Sequence, residues 1–86
     1  MPEISRFFGI VIKMFFDDHS PPHFHAFYGD DQALIDIRHL LLFAGGLPPR
    51  ALGLVIEWAT LHQQELLGNW HRAERQEPLE KIEPLK

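Results

Sequence analysis

Two proline pairs divide the chain. Pro21-Pro22 and Pro48-Pro49 each remove two backbone donors and hold φ near −65°, so neither pair fits inside a sheet ladder or a helix interior. What lies between them must therefore fold as separate pieces. Before Pro21, Ile4 to Phe16 is dense in β-branched and aromatic residues, which predicts a strand over about 4–16. Phe8, Ile10, Ile12, Met14 and Phe16 fall on one parity, and Phe7, Val11 and Phe15 on the other. A strand apolar on both faces is a central or an interface strand.

Between the proline pairs, strands are expected over about 23–28 and 33–38, joined by the turn signal Gly29-Asp30-Asp31. A short fourth strand over 40–43 is an option before Ala44-Gly45-Gly46. After Pro48 the apolar period changes. Leu52, Val55, Ile56, Ala59, Leu66, Leu67, Trp70 and Ala73 recur at three- and four-residue spacing, and proline is favoured in a first helical turn. One long helix over about 49–74 is expected, then a tail over 76–86. A helix of about 26 residues spans ~39 Å. In a chain of this length it must overhang the sheet or break, and Gly53 and Gly68 are the expected breaks. The fold class is α+β: a single domain over 1–86, an antiparallel three- to four-stranded meander followed by one long helix and a short C-terminal extension.

Composition narrows the function. The chain has no cysteine, which removes disulfides, thiolate metal sites and cysteine nucleophiles. The net charge is −4 and the basic residues are scattered, so nucleic acid is a disfavoured partner. No apolar run is long enough to cross a membrane and no signal peptide is evident, so the expected location is cytoplasmic. No phosphate-binding loop or serine elbow is present.

Six histidines are many for this length, and three fall in Asp17-Asp18-His19-Ser20-Pro21-Pro22-His23-Phe24-His25. His23 and His25 are two apart on an expected strand, so their rings leave the same face. With a carboxylate nearby, His19, His23 and His25 make a candidate site for zinc or another divalent metal. Asp18, His19, His23 and His25 are equally candidates for proton transfer near neutrality. The plainer role is structural, one ring fastening the Pro-Pro loop through a backbone carbonyl. On the helix, Leu54, Trp58 and Leu61 form a second apolar line, and Trp58, His62 and Glu65 share a face. Leu54, Trp58, Leu61 and His62 are the candidate partner-binding residues, with a homodimer as the expected assembly. The alternative for Trp58 is burial under the tail or the N-terminal strand.

Several stretches carry a resemblance to a known family. They are Ile4-Ser5-Arg6-Phe7-Phe8-Gly9-Ile10-Val11-Ile12, Asp18-His19-Ser20-Pro21-Pro22-His23-Phe24-His25-Ala26 and Leu47-Pro48-Pro49-Arg50-Ala51-Leu52. Glu57-Trp58, Leu61-His62, Glu65-Leu66, Asn69-Trp70 and Lys81-Ile82-Glu83-Pro84-Leu85 extend it. The chain resembles the small bacterial family catalogued as domain of unknown function 4160 over nearly its whole length. It departs from that pattern after Ile37, where Arg38-His39-Leu40-Leu41-Leu42-Phe43 replaces a polar hairpin. The resemblance implies no activity. It implies gene neighbourhoods reminiscent of toxin–antitoxin pairs. The leading expectation is a small interaction or regulatory module, one half of such a pair. The alternatives are a metal- or histidine-dependent hydrolase or nuclease using the histidine loop, and a nucleic-acid-binding regulator.

Overall fold

A computed structural model describes residues 3–16 and 18–86. Five strands form one antiparallel meander: β1 (Glu3–Phe7), β2 (Ile10–Lys13), β3 (His23–Tyr28), β4 (Asp31–Asp36) and β5 (Leu42–Gly45), in spatial order β1-β2-β3-β4-β5. Two helices follow, α1 (Pro49–Leu61) and α2 (Gln63–Glu74). The α+β class is as the sequence predicts. The strand and helix counts are not.

The expected strand over 4–16 is a hairpin. Phe8 and Gly9 both have positive φ, 50° and 80°, and form a two-residue turn that pairs Phe7 with Ile10. Glycine adopts this backbone without strain, and such turns match the twist of the strands they join. The apparent two-sidedness of the strand is thereby explained, because the chain reverses in its middle. A bulge between Glu3 and Ser5 turns both Ile4 and Ser5 inward. The expected strand over 33–38 begins and ends two residues earlier. The optional fourth strand lies at Leu42–Gly45, not 40–43, because Asp36 closes a turn first. Its Oδ1 accepts the N–H groups of Arg38 at 2.8 Å and His39 at 3.0 Å.

The long helix is broken at His62, not at Gly53 or Gly68. A straight helix of ~39 Å would exceed the molecule's longest dimension of 33 Å. His62 leaves helical geometry, with φ −121° and ψ 24°. The Gln63 side-chain amide then donates to the Ile37 and Arg38 carbonyls at 2.8 and 3.0 Å, anchoring the start of α2 to the end of β4.

One core joins sheet, helices and tail. Ile4, Ile10, Ile12, Met14, Phe24, Ile35 and Ile37 meet Val55, Trp58, Ala59, Leu66 and Trp70. The helix face differs by one residue from the expected stripe. Ala51, Val55, Trp58 and Ala59 are buried on α1, whereas Leu52 and Ile56 are only partly so. Trp58 packs on Phe7 and Phe24 of the sheet, which rotates α1 so that Ala51 faces the core and Leu52 and Ile56 lie at its margin. The tail forms no strand. Asn69 brackets the backbone of Glu80 from both sides, at 2.8 and 2.9 Å, and Ile82 N–H donates to the Ile4 carbonyl at 2.8 Å. Among the described residues, no helix is long and apolar enough to cross a membrane.

Candidate functional site

The loop between β2 and β3 contains a cis Ser20–Pro21 bond and delivers the chain into β3 at His23. Phe24 and Ala26 of β3 point into the core, so His23, His25 and Phe27 share the other parity. Asp18, upstream of the prolines, folds over this pair. Its Oδ2 lies 2.9 Å from His23 Nε2 and 3.0 Å from His25 Nε2. The three residues each offer one donor atom, and these atoms lie within 4.8 Å of one another.

Both rings are held from behind. His23 Nδ1 donates to the Pro21 carbonyl at 2.8 Å. His25 Nδ1 meets the Gln32 side-chain amide at 3.0 Å. His23 is 4% exposed and packs between Trp70 and Phe43, with ring centroids 5.3 and 5.2 Å away. Phe15 meets His25 edge-on at 4.5 Å. Burial pushes the Asp18 carboxyl up. The His25 hydrogen bond, the His23 charge, the His19 N–H and the His25 charge outweigh it and hold Asp18 below the usual aspartate range. A cavity of about 360 Å³, lined by Phe15, Asp18, Trp70, Ala73 and Glu74, opens beside the carboxylate.

His19 is not in this cluster. Its side chain is exposed, and only its backbone N–H reaches Asp18, donating to Oδ1 at 3.1 Å. Of the candidate ligands His19, His23 and His25, the structure brings His23 and His25 together with Asp18 and leaves the His19 side chain outside. The Pro-Pro segment turns the His19 side chain outward and brings the preceding aspartate inward instead. Asp17, the first residue of that histidine-rich stretch, lies outside the described residues. Gln32 was missed, although pairing β3 with β4 across Gly29-Asp30 puts it opposite Phe27, diagonal to His25.

Of the predicted partner residues, Trp58 is not available on the surface of the chain. Trp58 is fully buried: its indole N–H donates to the Glu83 carbonyl at 2.9 Å and its ring packs on Phe7 and Phe24 at 5.3 and 5.8 Å. The tail and the first hairpin cover it together. Leu54 is half-buried, Leu61 is 66% exposed, and His62 pairs with Glu65 at 2.6 Å. Besides Leu61, exposed apolar side chains lie at Phe8 and Tyr28, and in a run at Leu41, Leu42 and Phe43 at the start of β5.

Fold and site together define a small α+β domain in which one aspartate oxygen bridges two imidazoles carried on a single strand. A family model described as a domain of unknown function (DUF4160) matches residues 9–71, most of the chain and all of this corner. The chain belongs to that family. No curated protein and no solved structure matches it.

Proposed function

We infer that this chain is a small interaction or regulatory module that associates with a second copy of itself along β5, with the Asp18–His23–His25 corner as its ligand-recognition site. The observation that carries the reading is the asymmetry of the two sheet edges. At β1, the Ile4 carbonyl is met by Ile82 of the tail. At β5, every residue is exposed. An open apolar edge invites strand pairing, and proteins that avoid it place charge or proline there. Leu40 to Leu47 contains neither. A neutral edge meets its own copy without like-charge repulsion, which suits a two-fold contact. Phe43 also packs on the His23 ring, so the edge and the histidine corner are contiguous.

The test is sedimentation of metal-free protein at high micromolar concentration. A species of twice the chain mass is expected for the wild type and the monomer for Leu42→Lys/Phe43→Lys. A monomeric wild type overturns self-association. A complex formed only with the product of a neighbouring gene would place the chain in a two-gene pair instead, using the same edge.

A hydrolytic reading has one observation in its favour, the cavity beside Asp18. Its lining carries two carboxylates, Asp18 and Glu74, and no lysine or arginine among the described residues. That lining suits a neutral or cationic substrate and opposes a phosphodiester, so a nuclease is the weaker form of this reading.

A further inference from the structure

The hydrogen bonds around His23 do not close without one more proton or a cation. The Pro21 carbonyl can only accept, so His23 Nδ1 must carry a proton. In the neutral ring that leaves the Nε2 lone pair facing Asp18 Oδ2 at 2.9 Å, acceptor against acceptor. A proton shared between the two atoms, on either one, or a cation between them resolves this contact. His25 has the same option. As placed, the Gln32 NH₂ donates to His25 Nδ1 and the ring donates Nε2–H to Asp18. A half-turn of the Gln32 amide exchanges its oxygen for its nitrogen. His25 Nδ1–H then donates to that oxygen, and a second Nε2 lone pair faces the same point.

We propose that Asp18, His23 and His25 bind one divalent transition-metal ion, zinc by the donor set, through Asp18 Oδ2 and the two Nε2 atoms. The reading rests on the histidine corner being the recognition site and names its ligand. Two imidazoles and one carboxylate suit a borderline ion and leave a fourth position open. The cavity that Asp18 lines together with Glu74 and Trp70 gives water or a ligand group room to complete the set. Bonds of about 2.0–2.1 Å place tetrahedral donors about 3.3 Å apart. The two Oδ2–Nε2 contacts at 2.9 and 3.0 Å need to open by a few tenths of an ångström, and the two Nε2 atoms, within 4.8 Å of one another, need to settle at the same spacing. Asp18 sits on a loop and is partly exposed, so it can make that adjustment.

The supports behind the rings are what a metal site requires. Ligating histidines usually donate their second N–H to a carbonyl or carboxylate, which fixes tautomer and ring direction. Pro21 supplies a backbone carbonyl to His23, and Gln32 supplies an amide oxygen to His25 after its half-turn. The burial of His23 between Trp70 and Phe43 removes rotamer freedom before any ion arrives.

The experiment is calorimetric titration of metal-free protein with zinc chloride, with magnesium chloride as a parallel arm and the cobalt(II) visible spectrum as a second readout. One zinc per chain is expected, with no heat from magnesium and intense cobalt bands of a four-coordinate site. His25→Ala and Asp18→Asn are each expected to weaken zinc at least 100-fold, Gln32→Ala about 10-fold, and His19→Ala not at all. Circular dichroism shows whether each variant is folded. Asp18→Asn preserves size and keeps the test informative if His25→Ala unfolds. Absence of zinc heat in the wild type overturns the proposal. So does zinc binding that survives folded Asp18→Asn and His25→Ala, or that is lost in His19→Ala. Self-association is measured without metal, so its failure is a separate result.

Discussion

The indole nitrogen of Trp58 lies 2.9 Å from the Glu83 carbonyl oxygen, so the middle of α1 holds a residue near the end of the chain. The contact buries the largest side chain of the core and latches the tail over it. Trp58→Phe keeps most of the ring but orphans the carbonyl, and is expected to lower stability by ~0.5–1.5 kcal/mol. Trp58→Ala empties the site and should cost ~3–5 kcal/mol. Urea denaturation midpoints check both. Amide exchange at Ile82 checks the latch, since faster exchange is expected already in Trp58→Phe.

Leu66 and Leu61 are the same residue type in opposite surroundings. Leu66 is fully buried, whereas Leu61 is largely exposed. Leu66→Ala is expected to cost ~2–5 kcal/mol. Leu61→Ala in the monomer should stay within ~0.5 kcal/mol. Equal shifts in denaturation midpoint would contradict the packing described for α2.

Asp36 ties the β4–β5 turn to acidic pH. Burial pushes its carboxyl up, but the N–H groups of His39 and Arg38, the His39 ring and its charge outweigh that and hold it below the usual range. A carboxylate depressed in the folded state adds stability that is present above its unfolded value and is lost as pH falls through the folded one. The stability gap between wild type and Asp36→Asn should therefore shrink as pH falls through the range in which the Asp36 carboxylate is protonated. Thermal melts at fixed ionic strength measure it. A gap that grows on acidification would contradict the assignment.

Gly45 has φ +69°, and a Cβ there would collide with the backbone carbonyl oxygen of Gln32 across the β4–β5 pair. Neither the backbone nor that neighbour can give way cheaply. Gly45→Ala is expected to destabilise by more than ~1 kcal/mol. Gly46→Ala, with nothing near its Cβ, should do so by far less. The same variants read by sedimentation test the proposed interface, because a displaced β5 would remove the edge proposed for self-association.

Some of this architecture is legible along the chain. β3 falls at His23–Tyr28 as expected, because the Pro21-Pro22 pair marks its start and Gly29-Asp30 its end. The first hairpin was equally marked by Gly9, but the unbroken run of apolar residues on both sides of it masks the reversal. At the candidate site, the two-residue spacing of His23 and His25 put both rings on one face. Which loop residue joins them is not written in the spacing, since Asp18 and His19 are adjacent and only the path through the prolines decides which turns inward.

The sequence by itself determined the kinds of element and their order: strands while β-branched and aromatic residues dominate, helix once the period changes after Pro48-Pro49, and no thiol chemistry anywhere. These are local properties, set by sterics within a few residues. The tertiary structure alone decided the break at His62, the burial of Trp58 and the closure of Asp18 over two imidazoles. The first two depend on contacts 26 and 25 residues apart, Gln63 with Ile37 and Trp58 with Glu83, and the third on the path of the loop over the seven residues from Asp18 to His25. A helix stripe read by hydropathy takes in Leu52 and Ile56. The first hairpin, β3 and the tail close over Trp58 instead, and the face they bury carries Ala51, Val55, Trp58 and Ala59.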